Sequence, residues 1–298
     1  MRFVATLVAR PNSSLLDHAT IQSISTCLTE HGASLEEQDW LSDGEACDIF
    51  FSGLTVKEAK ELISQELLGS SFDFAVQETA NRRKKLLVAD MESTIIGQEM
   101  IDELALRHGV GDQIAKITER SMHGELNFEE SLRERVALLK GIPESELTEI
   151  SGLMKLNPGA DILVKTMRKH GAYTALVSGG FTFFTAQIRD LCQFNEDRAN
   201  TLNIGNGKLT GTVTEPILGR EAKLEATEDL IQKLNIKLND VCAVGDGAND
   251  LAMLSAVGMG VGYHAKPIVQ DTAEYQVKHT DHLALLYYQG YNKEDFAK

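Results

Sequence analysis

Cysteine is scarce: 298 residues contain four, Cys27, Cys47, Cys192 and Cys242, far apart and with no Cys-x-x-Cys pair among them. That excludes a small scaffold held together by disulfides. A chain of this length can bury a core without them, so the four read as reduced structural thiols in a reducing compartment. Tryptophan occurs once, as Trp40. Positive charge is in deficit, with 29 Lys plus Arg against 44 Asp plus Glu and a formal net charge of −15. Phosphate backbones and anionic membranes require fields of Lys and Arg, so neither nucleic acid nor a membrane is an expected partner. A small phosphorylated ligand stays open, because it needs only a few cations and backbone amides in one cleft. No segment approaches the ~18 uninterrupted apolar residues of a membrane span. The apolar stretch within Met1 to Pro11 is too short for a secretory signal, and the expected location is the cytoplasm. Internal repeats are absent. The 43% apolar and 24% charged residues are ordinary globular usage, which excludes disordered, collagen-like and low-complexity classes.

What is present is organised in two parts. At roughly 150 residues per domain, the length points to about two domains. Residues 1–80 read as a small α/β unit, with strands at Phe3–Ala9, Ala46–Phe51 and Phe72–Gln77 and amphipathic helices at Leu15–His31 and Lys57–Leu68. Nothing in it has catalytic spacing, which predicts an accessory or regulatory module. Asn81-Arg82-Arg83-Lys84-Lys85 reads as a solvated linker and sets the domain boundary. Beyond it, Leu86 to Asp90 is an apolar run ending in an acid, as a buried parallel strand should look. Further strands at Ala172–Ser178 and Val241–Gly245 alternate with helices at Phe181–Leu191, Arg220–Leu234 and Asn249–Val257. Short strands at Met259–Gly262 and Tyr275–Val277 follow, and Gly205-Asn206-Gly207 marks a hairpin. This alternation predicts an α/β fold with a doubly wound parallel sheet over residues 81–298. Four successive helices between residues 98 and about 156 interrupt it, as an inserted helical cap would.

Ligands of open parallel sheets bind outside the carboxyl ends of the strands. Three predicted strand ends carry reactive residues: Asp90-Met91-Glu92-Ser93-Thr94, Ser178-Gly179-Gly180, and Gly245-Asp246-Gly247-Ala248-Asn249-Asp250. Asp90 and Asp246 at neighbouring ends would repel unless a cation sat between them, and hard oxygen donors favour Mg²⁺. Ser178 and the Gly179 amide can donate to phosphate oxygens, and Lys223 supplies a point charge. A carboxylate can then attack phosphorus in line and form an aspartyl-phosphate, with Asp90 as nucleophile. Glu92 lies on the same side of an extended chain as Asp90, suited to protonate the leaving oxygen and later to activate water. Taken singly, each piece has a plainer reading. Asp246, Ser178 and Ser93 can be helix caps, Gly179-Gly180 a tight turn, and Lys223 a surface lysine. Their convergence on one sheet edge favours chemistry.

These motifs, with Glu99-Met100-Ile101-Asp102-Glu103-Leu104-Ala105 and the cap segment Met122 to Val136, resemble the haloacid dehalogenase superfamily, and within it the phosphoserine phosphatase family. The resemblance covers residues 86 to about 290. It implies Mg²⁺-dependent hydrolysis of O-phosphoserine to serine and phosphate, the last step of serine biosynthesis. It implies that Glu99 and Arg135 hold the substrate's ammonium and carboxylate, and that Met122 and Phe128 close over it. Ser178, Gly179, Lys223 and Asn249 join the phosphate or metal surroundings, and Asp250 supports them. Asp90, the Glu92 backbone carbonyl and Asp246 bind the metal. Residues 1–80 resemble ACT-like domains more faintly. The resemblance leaves room there for an amino-acid effector, and for a homodimer. One departure stands out: the second acid of the first motif is usually aspartate and here is Glu92, which predicts either a compensating backbone shift or slow turnover. The alternatives are the same chemistry on another small phosphorylated metabolite, phosphoryl transfer to an alcohol, a phospho-accepting signalling module, and a binding protein without turnover.

Overall fold

The structure is a computed structural model and describes residues 2–11, 16–219 and 221–298. The N-terminal unit runs β1 (Phe3–Ala9), α1 (His18–Glu30), β2 (Ser34–Ser42), β3 (Ala46–Ser52), α2 (Val56–Glu66) and β4 (Phe72–Glu78). Its sheet is antiparallel in the order β2-β3-β1-β4. Asp17 caps α1, and Thr55 and Glu58 form a reciprocal capping box on α2, satisfying amides that the first helical turn leaves unpaired. The expected start of the first helix at Leu15 lies outside the described residues. Strand β2 was not expected. Six of its nine residues are exposed, so no buried face marks it in the sequence, and only its pairing with β3 makes it a strand.

Next come β5 (Leu86–Ala89), α3 (Met100–Arg107), α4 (Gly111–Met122), α5 (Phe128–Ala137), α6 (Ser145–Ser151), α7 (Ala160–Lys169), β6 (Tyr173–Phe181), α8 (Thr182–Cys192) and β7 (Glu196–Asn200). The chain ends with β8 (Leu202–Gly205), β9 (Lys208–Val213), α9 (Ala222–Leu234), β10 (Val241–Gly245), α10 (Leu251–Ala256), β11 (Met259–Tyr263), α11 (Pro267–Gln270), β12 (Tyr275–Val277) and α12 (Leu283–Tyr288). The expected helix start at Arg220 falls outside the described residues. Six strands form a sheet in the order β12-β11-β10-β5-β6-β7, parallel at every pairing. Every residue of β5, β10 and β11 is buried, as strands covered on both faces must be. The α/β class is as the sequence predicts.

Helices α3–α6 lie between two linkers, whose Ile96 and Leu156 form an antiparallel bridge. The β8–β9 hairpin leans on them, with Gly141 N–H donating to Leu209 O and Leu209 N–H to Ile142 O.

Within the basic run 81–85, Arg82 and Lys84 correct the reading as a solvated linker, while Asn81, Arg83 and Lys85 are exposed as expected. Arg82 donates to both oxygens of buried Asp48, to Thr6 Oγ1 and to the carbonyls of Tyr287 and Tyr288. Lys84 is buried, its ammonium held by the carbonyls of Asn81 and Asn239. Asp73 on β4 adds a second tie, accepting the backbone N–H groups of Lys278, His279 and Thr280 and the Thr280 hydroxyl. These residues fasten the N-terminal sheet to the C-terminal segment. The four cysteines are free, and burial pushes the thiols of Cys47, Cys192 and Cys242 up to about 12. Among the described residues, no helix is long and apolar enough to cross a membrane.

Candidate active site

Parallel pairing puts the carboxyl ends of β5, β6, β10 and β11 on one edge of the sheet, and the site is assembled there. Asp90 follows β5 directly, and its N–H continues the ladder to Val244 O at 3.0 Å. The chain then turns through Met91–Ile95, with Ser93 in the left-handed region at φ 54°. This turn lets Asp90 and Glu92 both enter one cavity of about 180 Å³. Asp246 and Asn249 reach the same cavity from the end of β10, and Ser178, Gly179 and Gly180 from β6. The ladder between β6 and β7 breaks between Val177 and Phe181. That irregularity re-aims the serine and glycines, a common use of bulges beside active sites. From the cap come Glu99, Phe128, Leu132 and Arg135.

Charge is concentrated and mostly buried. Carboxylate oxygens of Asp90, Asp246 and Asp250 all lie within 4.8 Å of one another. Lys223, near the start of α9, sits between two of them, 2.8 Å from Asp90 Oδ1 and 2.5 Å from Asp250 Oδ1. The other Asp250 oxygen accepts the Gly247 N–H at 3.0 Å. A Cβ on Gly245 would stand 2.3 Å from Asp250 Cγ, so only glycine admits this carboxylate beneath β10. Lys266, in the loop after β11, approaches Asp246 Oδ2 at 3.2 Å. Burial, the largest influence, raises the carboxyls of both Asp90 and Asp246, with Lys223 and Lys266 respectively pulling the other way. Burial works to lower Lys223, but Asp250 and Asp90 outweigh it and raise its pKa.

Glu92 is anchored separately. Its Oε1 accepts the Met100 N–H at 2.8 Å, and a Cβ on Gly180 would lie 2.8 Å from its Oε2. Burial first and Glu99 second raise this carboxyl to about 8. Glu99 Oε1 accepts the Ser93 hydroxyl at 2.7 Å. Arg135 on α5 faces Asp102, Glu92 and Glu99, and burial lowers its pKa against their pull. Its Nε makes a long contact to Ser131 O at 3.4 Å, and among the described residues no carboxylate forms a short ion pair with its fork. Phe128 rests on Gly179, where an added Cβ would meet its Cζ at 2.9 Å.

The cavity thus gathers Asp90, Glu92, Glu99, Phe128, Arg135, Ser178, Gly179, Asp246 and Asn249, and Lys223 stands behind Asp90. The expectation for the Met122 side chain lies outside the described residues. The Glu92 carboxylate is not part of the three-carboxylate cluster, where Asp250 stands instead; the expected metal contact of Glu92 concerned its backbone carbonyl. Lys266 was missed. The strand-end rule that found the other positions also covers the end of β11, but no local motif flags a lysine three residues beyond it. The donor set suits a hard divalent cation: three buried carboxylates converge, and the nearest compensating charges are two lysine ammoniums.

A parallel α/β sheet with this cluster at its carboxyl edge and a helical insertion above it agrees with what comparison finds. The family model for haloacid dehalogenase-like hydrolases matches residues 87–255, and the chain belongs to that family. A phosphoserine phosphatase of Archaeoglobus fulgidus is 40% identical over 219 residues, covering 73% of this chain and 64% of that one. A HAD family hydrolase from Salmonella enterica serovar Typhi superposes with a TM-score of 0.85 at 28% identity, covering 98% of this chain and 99% of that one. A probable phosphoserine phosphatase from Vibrio cholerae gives a TM-score of 0.79 at 31% identity, covering 99% and 88%. Matches to three curated relatives span 64%, 59% and 64% of those proteins' lengths, less than two thirds.

Proposed function

We propose that this chain is a cytoplasmic, Mg²⁺-dependent phosphatase that converts O-phosphoserine to serine and phosphate, the step that completes serine biosynthesis. The observation that carries this reading is the meeting, in one cavity, of strand-end carboxylates with Glu99 and Arg135 facing them from the cap. An arginine fork matches a carboxylate and an acid matches an ammonium, so the pair suits the two charges of an amino acid. Relatives named as phosphoserine phosphatases at 34–44% identity support the same substrate.

The residues divide the work as follows. Ser178, the Gly179 amide and Lys223 hold phosphate oxygens. Asp90, Asp246 and the Glu92 carbonyl would hold the cation, with Asp250 beside them. Bound there, it would supply positive charge that keeps Asp90 and Asp246 ionised and offsets the negative charge of the phosphate. Asp90 attacks phosphorus in line, the phosphorus–oxygen bond to serine breaks, and Glu92 gives its proton to the leaving oxygen. Burial and the neighbouring Glu99 raise the Glu92 carboxyl, which favours the protonated form that a general acid needs. Glu92 then takes a proton from water, which attacks the aspartyl-phosphate and frees Asp90. Phe128 and Leu132 shield the cavity from solvent.

Phosphate release should be measured over phosphorylated amino acids with and without Mg²⁺. O-phosphoserine should be the best substrate, with Mg²⁺ required. Arg135→Ala should lower kcat/KM for phosphoserine at least tenfold more than for phosphoethanolamine, which lacks the carboxylate. Equal losses on the two esters would remove Arg135 as the anchor and, with it, the substrate reading.

A further inference from the structure

The pairing of β6 with β7 leaves a gap that the strands themselves do not close. Val177 pairs with Arg198 and Phe181 with Asn200, so Ser178, Gly179 and Gly180 stand opposite Ala199 alone. Backbone groups in such a bulge lose their ladder partners and must find others. Two side chains supply them. The Ser178 hydroxyl accepts the Gly180 N–H at 2.9 Å, and the Asn200 amide donates to Gly179 O at 2.9 Å. The peptide between Gly179 and Gly180 is therefore held at both ends, its carbonyl by Asn200 and its N–H by Ser178.

Asn200 ends β7 and is 2% exposed. Both functions of its amide are engaged. Oδ1 accepts the Leu218 N–H at 2.8 Å, and Nδ2 donates to Leu218 O at 3.3 Å as well as to Gly179 O. Turned over, the amide would set its oxygen against two carbonyls and its NH₂ against an N–H, so these contacts fix its orientation. Aspartate lacks the donors, and an aliphatic side chain lacks both functions. Leu218 leads into Gly219, where a Cβ would stand 3.9 Å from Phe128 Cδ1. Asn200 thus ties the β6 bulge to a loop that borders the cap.

The consequence for chemistry lies in Ser178. With the Gly180 N–H on its oxygen, the serine keeps its own proton for an acceptor in the cavity that it lines. A carbonyl that accepts a hydrogen bond makes the N–H of the same peptide a stronger donor. Asn200 therefore also strengthens the bond that aims Ser178. It is not among the residues lining the cavity, so any influence it has there passes through the bulge.

We propose that Asn200 is a positioning residue for the phosphate site: by holding the Gly179–Gly180 peptide it sets the Ser178 hydroxyl and the Gly179 N–H toward one anion. This rests on the reading of Ser178 and Gly179 as phosphate donors.

Calorimetric titration of inorganic phosphate to about 10 mM into the full chain with Mg²⁺ reaches millimolar affinities. Asn200→Ala and Asn200→Asp should each weaken phosphate binding tenfold or more. Asn200→Asp keeps an acceptor for the Leu218 N–H but cannot donate to Gly179 O. Binding close to wild type in that variant would make Leu218 the contact that counts and overturn the proposal. Ser178→Ala should also weaken binding, and adding Asn200→Ala to it should cost no more than about threefold further, because both changes remove one arrangement. Losses that multiply would overturn it. Mg²⁺ affinity, which depends on carboxylates from other strands, should stay within about twofold; a loss as large as that for phosphate would mark general distortion and overturn the positioning role. Hydrogen exchange at the Gly180 amide should quicken in both Asn200 variants relative to the amides of β5, and unchanged exchange counts against the proposal. If neither variant folds, Asn200 is a structural residue and the proposal falls, as it does if the wild type binds no phosphate. If phosphate binds but no phosphate ester is hydrolysed, the phosphatase reading has failed, while the titrations and the double variant still decide the role of Asn200.

Discussion

Glu92→Asp is the most informative single change, because it restores the residue usual in this family to a site built around a longer one. The Glu92 carboxyl is pinned by the Met100 N–H at 2.8 Å on one oxygen, with the other against Gly180. Shortening the side chain withdraws the carboxyl by one carbon–carbon bond, about 1.5 Å. It also leaves the Met100 amide without its acceptor, at a cost of about 1–3 kcal/mol. A misplacement of about 1 Å in a reacting group costs roughly 100-fold in rate, or about 2.7 kcal/mol. Both phosphorylation of Asp90 and its dephosphorylation should therefore slow about 100-fold in Glu92→Asp, since one carboxyl serves both steps. Glu92→Gln keeps length and acceptor but has no proton to give. Its phosphorylation defect should shrink on p-nitrophenyl phosphate, whose leaving group needs less help, while its dephosphorylation defect should not. Rapid-quench single-turnover kinetics separate the two steps. If Glu92→Asp matches or outpaces the wild type in both, then the Met100 anchor does not set the geometry and Glu92 is the handicap that its rarity in the motif suggests.

Other consequences follow from named contacts. Gly179→Ala places a methyl 2.9 Å from Phe128 Cζ, an overpacking of about 1–3 kcal/mol; kcat/KM should fall tenfold or more, and Phe128→Leu should relieve it, whereas equal losses in both backgrounds would show that Phe128 is not the obstacle. Asp73→Ala strips the acceptor from three backbone amides and the Thr280 hydroxyl. Urea unfolding should lose at least about 3 kcal/mol, by orphaned donors at roughly 1–3 kcal/mol each, and a loss under about 1 kcal/mol would show that the N-terminal sheet is not fastened there. His282 is fully buried, stacked on Tyr263 at 3.9 Å, and burial lowers its pKa to about 3. It stays neutral when folded but protonates near its ordinary 6.5 when unfolded, so stability is lost as pH falls from about 6.5 toward 3, by about 1.4 kcal/mol per unit, and is unaffected above that window. His282→Phe should flatten that slope in urea titrations at successive pH values; parallel slopes would exclude His282 as its source.

Much of this was legible along the chain because it is local. An apolar run ending in a polar, reactive residue marks a buried parallel strand and the sheet edge where ligands bind, so Asp90, Ser178 and Asp246 could be read with their strands. The cap helices carry their own start signals, such as Asn127 with Glu130. Other features have no local signature. Strand β2 is mostly solvent-exposed and α12 is six apolar residues, too short to show a helical period. The basic run 81–85 looks solvated until Asp48, from another strand, is found to pair with Arg82.

The sequence by itself determined the fold class, the inserted helices and the residues at three strand ends, because each follows from side-chain periodicity and the residues flanking it. Only the tertiary structure decided that Asp250 and Lys266 join Asp90 and Asp246, that Lys223 bridges two acids, and that Asp73 fastens the N-terminal sheet to the C-terminal segment. Those meetings join residues as near as Asp246 and Asp250 and as far apart as Asp73 and Thr280, 207 positions along the chain. Sheet order and buried polar ties set them, and neither leaves a period in the chain.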